Sequence, residues 1–131
     1  MRPAPGNSKY LLQVHPNPPK MVLVNQYFPL TVTLLDRLGK PVDVHSGLPL
    51  QMELIYIDTH ALVEQSAAML ELDREPMLDR SGVAQLNVRL RQSASERGIK
   101  NFQIRFGLAR TEHAIALGPV ESVLTAPFHV V

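Results

Sequence analysis

Between Val83 and Leu108 the chain alternates apolar and polar side chains in two separate runs, and that period of two most narrows what it can fold into. Ala84, Leu86, Val88 and Leu90 share one parity and Gln85, Asn87, Arg89 and Arg91 the other. After a polar loop from Gln92 to Gly98, Phe102, Ile104, Phe106 and Leu108 repeat the pattern against Gln103, Arg105 and Gly107. Successive side chains of a strand point to opposite faces, so each run predicts a strand with one face in a core. Leu30, Val32 and Leu34 alternating with Thr31 and Thr33 predict another. Leu50 to Ile57 predicts a strand that begins half exposed and ends covered on both sides.

Punctuation between these runs completes the pattern. The chain holds 11 prolines and 7 glycines, mostly between apolar runs, which is the spacing of short strands rather than long helices. A first strand, Tyr10 to Val14, ends at His15-Pro16-Asn17-Pro18-Pro19, because proline has no amide donor and a fixed φ. Lys20 to Val24 then reads as the second half of the same edge strand, switched to the other sheet. Asp36 to Pro41 and Asp79 to Gly82 are turns. Residues 59–68 fit a helical turn or loop, followed by a short strand at Met69 to Asp73. Arg110 to Gly118 reads as a polar loop, Pro119 to Leu124 as extended, and Pro127 to Val131 as a final strand. About seven or eight short strands with no βαβ alternation predict an all-β fold, an antiparallel immunoglobulin-like sandwich. With neither cysteine nor tryptophan in the chain, aliphatic side chains are expected to fill the space between the sheets.

At 131 residues the chain has the length of one domain. Residues 10–131 are expected to form it, residues 1–9 to be a flexible lead-in, and the apolar end at Val131 to mark a domain cut from a larger protein. The absence of cysteine excludes thiolate catalysis, iron–sulfur clusters and disulfides, and points to an intracellular compartment, nuclear or cytoplasmic. No apolar run is long enough to cross a bilayer, and no membrane association is expected. Gly-x-Gly-x-x-Gly, a phosphate-binding loop and a Gly-x-Ser-x-Gly nucleophile turn are all missing. The 5 histidines are scattered; Asp58 and His60 share a parity but read as a strand-end cap and a surface histidine. Glu71, Asp73 and Glu75 alternate as a solvated strand face. The expectation is a protein without catalytic residues, metal or cofactor.

Charge offers one local feature. Lys and Arg number 13 against 12 acids, a net +1, so no global field draws the chain to nucleic acid. Yet Arg89, Arg91, Arg97, Lys100, Arg105 and Arg110 fall in one stretch with Glu96 as the sole acid. In a sandwich Arg89 and Arg105 belong to different sheets and face opposite sides. The loop group Arg91, Arg97 and Lys100 is what remains to act together, on phosphates or on an acidic partner.

Three segments, Tyr10-Leu11-Leu12-Gln13-Val14 before a proline, Phe102 to Leu108, and the closing Ala126-Pro127-Phe128-His129-Val130, resemble Rel-like immunoglobulin domains. The likeness is to those of fungal velvet regulators and plant calmodulin-binding transcription factors. That resemblance implies DNA held by basic residues on loops at one end of the sandwich, with Lys20, Arg91, Arg97 and Lys100 as the positions here, and pairing of domains into dimers. The chain departs from the family in having no arginine-rich loop near His15 to Lys20. Taken together, the expected function is a non-catalytic interaction module of an intracellular regulatory protein, binding a protein partner or forming a homodimer. Its edges at Tyr10 to Val24 and Pro127 to Val131 would extend a partner's sheet. Tyr10, Tyr27 and Phe128 are the interface candidates, whereas Phe28 and Tyr56 read as core. DNA binding of Rel-like type is the alternative.

Overall fold

In the computed structural model, which describes residues 8–44, 47–63, 69–91 and 101–131, the two alternating runs become the central strands of two facing sheets. In chain order the elements are β1 (Tyr10–His15), β2 (Met21–Val22), β3 (Phe28–Asp36), β4 (Leu48–Tyr56), β5 (Leu70–Leu72) and β6 (Met77–Leu78). They continue with β7 (Val83–Leu90), β8 (Asn101–Leu108), helix α1 (Glu112–Leu117), β9 (Val120–Glu121), β10 (Val123–Leu124) and β11 (Phe128–Val130). One sheet runs β5-β7-β3-β1-β9; the other runs β2-β11-β8-β4-β6, with β10 also on β8.

The parity read from sequence is the parity of burial. Ala84, Leu86, Val88 and Leu90 of β7 face Phe102, Ile104 and Phe106 of β8 across one core. Register keeps apolar rows together: Leu30 lies opposite Leu86 and Val32 opposite Ala84, while Leu54 lies opposite Ile104 and Met52 opposite Phe106. As expected, Arg89 and Arg105 lie on different sheets. Each sits directly across from a carboxylate, Glu71 on β5 and Glu53 on β4. The turn after β3 closes with Gly39 at φ +81° and the Asp36 carboxylate accepting from the Leu38 and Lys40 amides. Gly82 is demanded twice, by φ +77° and by the Val42 carbonyl, which stands where a Cβ would go.

The structure departs from expectation in three places. The filling between the sheets is not aliphatic alone, because Phe128 joins Phe28, Phe102 and Phe106, which were expected in the core, with ring centroids 6.2 Å apart for Phe28–Phe128 and 6.3 Å for Phe102–Phe128. The antiparallel expectation fails at two short parallel pairs, β1 with β9 and β2 with β11. These arise because a strand that crosses from one sheet to the other must leave its antiparallel partner. A short helix appears at α1, where a polar loop was expected, capped by the Thr111 hydroxyl on the Ala114 amide and closed at Gly118 with φ +98°. Residues 59–63 form a turn and loop, within the expectation of a helical turn or loop for 59–68, with His60 at φ +56° and Leu62 bridging to Ile55, and 64–68 lies outside the described residues.

Candidate interaction edge

β2 owes its position to the prolines before it. They stop β1, and the chain crosses from the five-stranded sheet to the border of the six-stranded one, where it lies parallel to β11. The His129 amide donates to the Lys20 carbonyl (2.8 Å), the Val131 amide to the Val22 carbonyl (2.9 Å), and the Val24 amide to the Val131 carbonyl (3.0 Å). Backbone groups alternate sides along a strand, so the N–H and C=O of Met21 and the N–H of Leu23 point away from β11, along the sheet's open side. The Leu23 carbonyl is already engaged by the Gln26 amide (3.3 Å). Side chains alternate too. Val22 is 3% exposed, whereas Met21 is 63% and Leu23 55% exposed.

Beside this edge the β2–β3 turn presents Tyr27, 41% exposed. The turn is tied to β7 by the Asn25 amide on the Leu90 carbonyl (2.8 Å). Arg89 holds the ring from the other sheet, its guanidinium carbon 4.9 Å from the Tyr27 centroid, while its Nε donates to Glu71. Arg91 adds a second cation 3.7 Å from the same carboxylate. The hydrogen bond from Arg89, reinforced by the charges of Arg89 and Arg91, holds the Glu71 carboxyl below its ordinary range; the same bond raises Arg89. Pro19, Met21, Leu23, Tyr27 and Phe28 enclose a hollow of about 150 Å³. The result is an apolar border whose Met21 N–H and C=O and Leu23 N–H have no backbone partner among the described residues, next to an aromatic ring fixed by an ion-paired arginine. Among the described residues no three His, Asp or Glu side chains gather as metal ligands, and no helix is long and apolar enough to cross a membrane.

A family model, that of the DG1062 N-terminal domain, matches residues 13–131. The chain belongs to that family. The matching family model is not a Rel-like one, so what the DG1062 N-terminal domain keeps of the sequence resemblance is the immunoglobulin-like sandwich. No curated protein matches it. Solved structures similar to it include domains 4 and 5 of the S-layer protein SbsC, at 11% identity and TM-score 0.50 over 92% of this chain. The chain spans 50% of that one's length. The Lin-41 filamin domain is similar at 14% identity and TM-score 0.46, over 92% of this chain and 91% of that one.

In this DG1062 N-terminal domain the expected interface residues part company. Tyr27 stands at the edge. Tyr10 is half-buried and lines a separate cleft of about 290 Å³ with Val44, Leu48, His113 and Leu117. Phe128 is a correction: at 2% exposure it is core, packed on Phe28 and Phe102, because its parity on β11 points between the sheets. Nor is β11 an edge, lying between β2 and β8, and β1 lies between β3 and β9. Of the basic group, Lys20 directly precedes β2 of the six-stranded sheet while Arg91 directly follows β7 of the other and pairs with Glu71; Arg97 and Lys100 lie outside the described residues. Sequence reasoning placed an edge at Lys20 to Val24 but missed Met21 and Leu23 within it. Their signal was parity with exposed Pro19 after a proline stop, which counts only once the strand is known to change sheets.

Proposed function

We propose that this domain is a non-catalytic interaction module of a larger intracellular regulatory protein, and that it works by accepting an added strand along β2. The observation that carries this reading is the border itself: Met21 and Leu23 exposed in succession on one face, with outward backbone groups at the same residues. Unpaired edge strands template pairing with another chain, and proteins that avoid this place charge or a bulge there. Here Pro19 and Lys20 stand just before the strand, but its own exposed side chains are Met21 and Leu23, beside a hollow that Tyr27 and Gln26 also line. The absence of cysteine supports the intracellular setting.

The test is amide hydrogen exchange on the chain with and without a panel of synthetic extended peptides bearing alternating apolar residues. Met21 and Leu23 amides are expected to exchange freely alone and to gain protection with a bound peptide. Leu23→Asp should weaken that binding by about tenfold or more, equivalent to roughly 1.4 kcal/mol. Protection that falls elsewhere, or binding indifferent to Leu23→Asp, would remove β2 from the reading.

A further inference from the structure

We infer that Glu71 and Arg89, on the five-stranded sheet, are positioning residues for the β2 edge: acting through the Tyr27 ring, they fix one wall of the hollow before an added strand arrives. This rests on the reading of β2 as a docking edge and adds to it a device that tunes which side chain the edge accepts. The device follows from register. β3 and β7 pair with Phe28 opposite Val88, so one step further the chain sets Tyr27 across from Arg89. On the other side of β7, Arg89 is opposite Glu71 of β5. Tyr27, Arg89 and Glu71 therefore form one row across the start of β3, β7 and β5. The turn that carries Tyr27 is held to that row by the Asn25 amide on the Leu90 carbonyl (2.8 Å).

Each member of the row answers a need of the next. Among the described residues no hydrogen bond holds the Tyr27 hydroxyl, so the Arg89 guanidinium carbon, 4.9 Å from the ring centroid, is the ring's polar tether. An arginine side chain in water has many rotamers, and ordering one costs entropy. Glu71 removes that freedom: one carboxylate oxygen accepts from Arg89 Nε, and the other lies 3.7 Å from Arg91. The Arg89 and Glu71 side chains are 33% and 28% exposed, against 55% for Arg91, so the pair that touches the ring is the sheltered one. Tyr27 lines the hollow beside Met21 and Leu23 whereas Arg89 does not, which puts the cation behind the ring and leaves the hollow an apolar wall. A ring fixed in advance spares an incoming strand the cost of ordering it. A wall that cannot swing aside also discriminates by size among side chains entering a hollow of about 150 Å³.

The free chain gives the first readout. Nuclear Overhauser contacts between the Tyr27 ring protons and the Arg89 side chain are expected in the unaltered chain and should fade in Glu71→Gln, which keeps the size and removes the charge. Binding of the alternating apolar peptides gives the second. Arg89→Met, similar in length but uncharged, should weaken the best peptide about threefold and narrow the spread of affinity among peptides that differ at the residue entering the hollow. Arg89→Lys, which keeps a cation, should recover part of both. In a Tyr27→Ala background Arg89→Met should change neither, because no ring remains to be positioned. Peptides that protect the Met21 and Leu23 amides yet bind Arg89→Met as well as the unaltered chain overturn the positioning role and leave the docking edge standing. So does an Arg89→Met loss that persists without Tyr27. Overhauser contacts indifferent to Glu71→Gln remove Glu71 from the role. No peptide protection at Met21 and Leu23, with the ring contacts intact, overturns the docking edge itself and the positioning role with it.

Discussion

Thr125, at 1% exposure, is the buried polar residue among those described, and it shows what holds the last strand where it breaks. Its hydroxyl accepts from the Ile104 amide (3.0 Å), its own amide donates to the Ile104 carbonyl (2.9 Å), and its carbonyl accepts from Gln103 Nε2 (2.9 Å). Between β10 and β11 the chain steps around Pro127, so the hydroxyl supplies the acceptor that β8 would otherwise find on a continuous neighbour. Thr125→Val keeps the shape and strands the Ile104 amide in the core. It should cost about 1–3 kcal/mol, seen as a lower denaturant midpoint at unchanged slope, with Thr125→Ser recovering much of the loss. Nothing in Leu124-Thr125-Ala126-Pro127 announces this role. A lone threonine before a proline in an extended segment has the same local sequence whether its hydroxyl meets water or a backbone amide.

Among elements, β7 shows how an open border is closed without a strand. β5 covers only its far end, Val88 to Leu90. Below that, Asp73 accepts from the Asn87 amide and from Asn87 Nδ2, both at 3.0 Å, and Asp79 accepts from the Ser81 hydroxyl (2.6 Å) and the Val83 amide (3.2 Å). Two aspartates thus stand in for a missing partner strand, which contrasts with the uncovered side of β2. The backbone bond from Asn87 is the main cause holding Asp73 below its ordinary value of 3.8, and the Ser81 hydroxyl does the same for Asp79. Since both folded values lie under the unfolded ones, the unfolded chain binds more protons near those values. The contribution is complete above about pH 4 and is lost as pH falls through the folded values. Asp73→Asn and Asp79→Asn should each flatten that acid limb in thermal melts at stepped pH. The strands were legible because parity survives in any antiparallel sheet; α1 was not, because six residues give too few turns for a helical period. Its signals were the caps, Thr111 and Gly118, either of which also suits a loop.

For the whole molecule, the sequence revealed which residues face the core but not which charges meet. Parity needs only neighbours along the chain, whereas Glu71 meeting Arg89 and Arg91, or Glu53 meeting Arg105, depends on which strands pair and in what register. Once paired, the basic stretch loses much of its field. Arg37, Arg74, Arg89, Arg91 and Arg105 each have a carboxylate within 4.0 Å. Lys20 precedes a strand of one sheet and Arg91 follows a strand of the other, so no shared strand or loop sets the two side by side. The Rel-like alternative can be weighed on this. If Lys20, Arg91, Arg97 and Lys100 all met phosphates, the logarithm of DNA affinity would fall by about 0.9 per contact for each log unit of salt, roughly 3.6 in all. With Arg91 engaged by Glu71 and the net charge at +1, the slope expected between about 50 and 200 mM salt is that of one or two contacts at most, at affinities typical of non-specific binding. A slope near four contacts that drops by about one unit on Arg91→Ala would show that DNA displaces Glu71, and would restore nucleic acid as the partner.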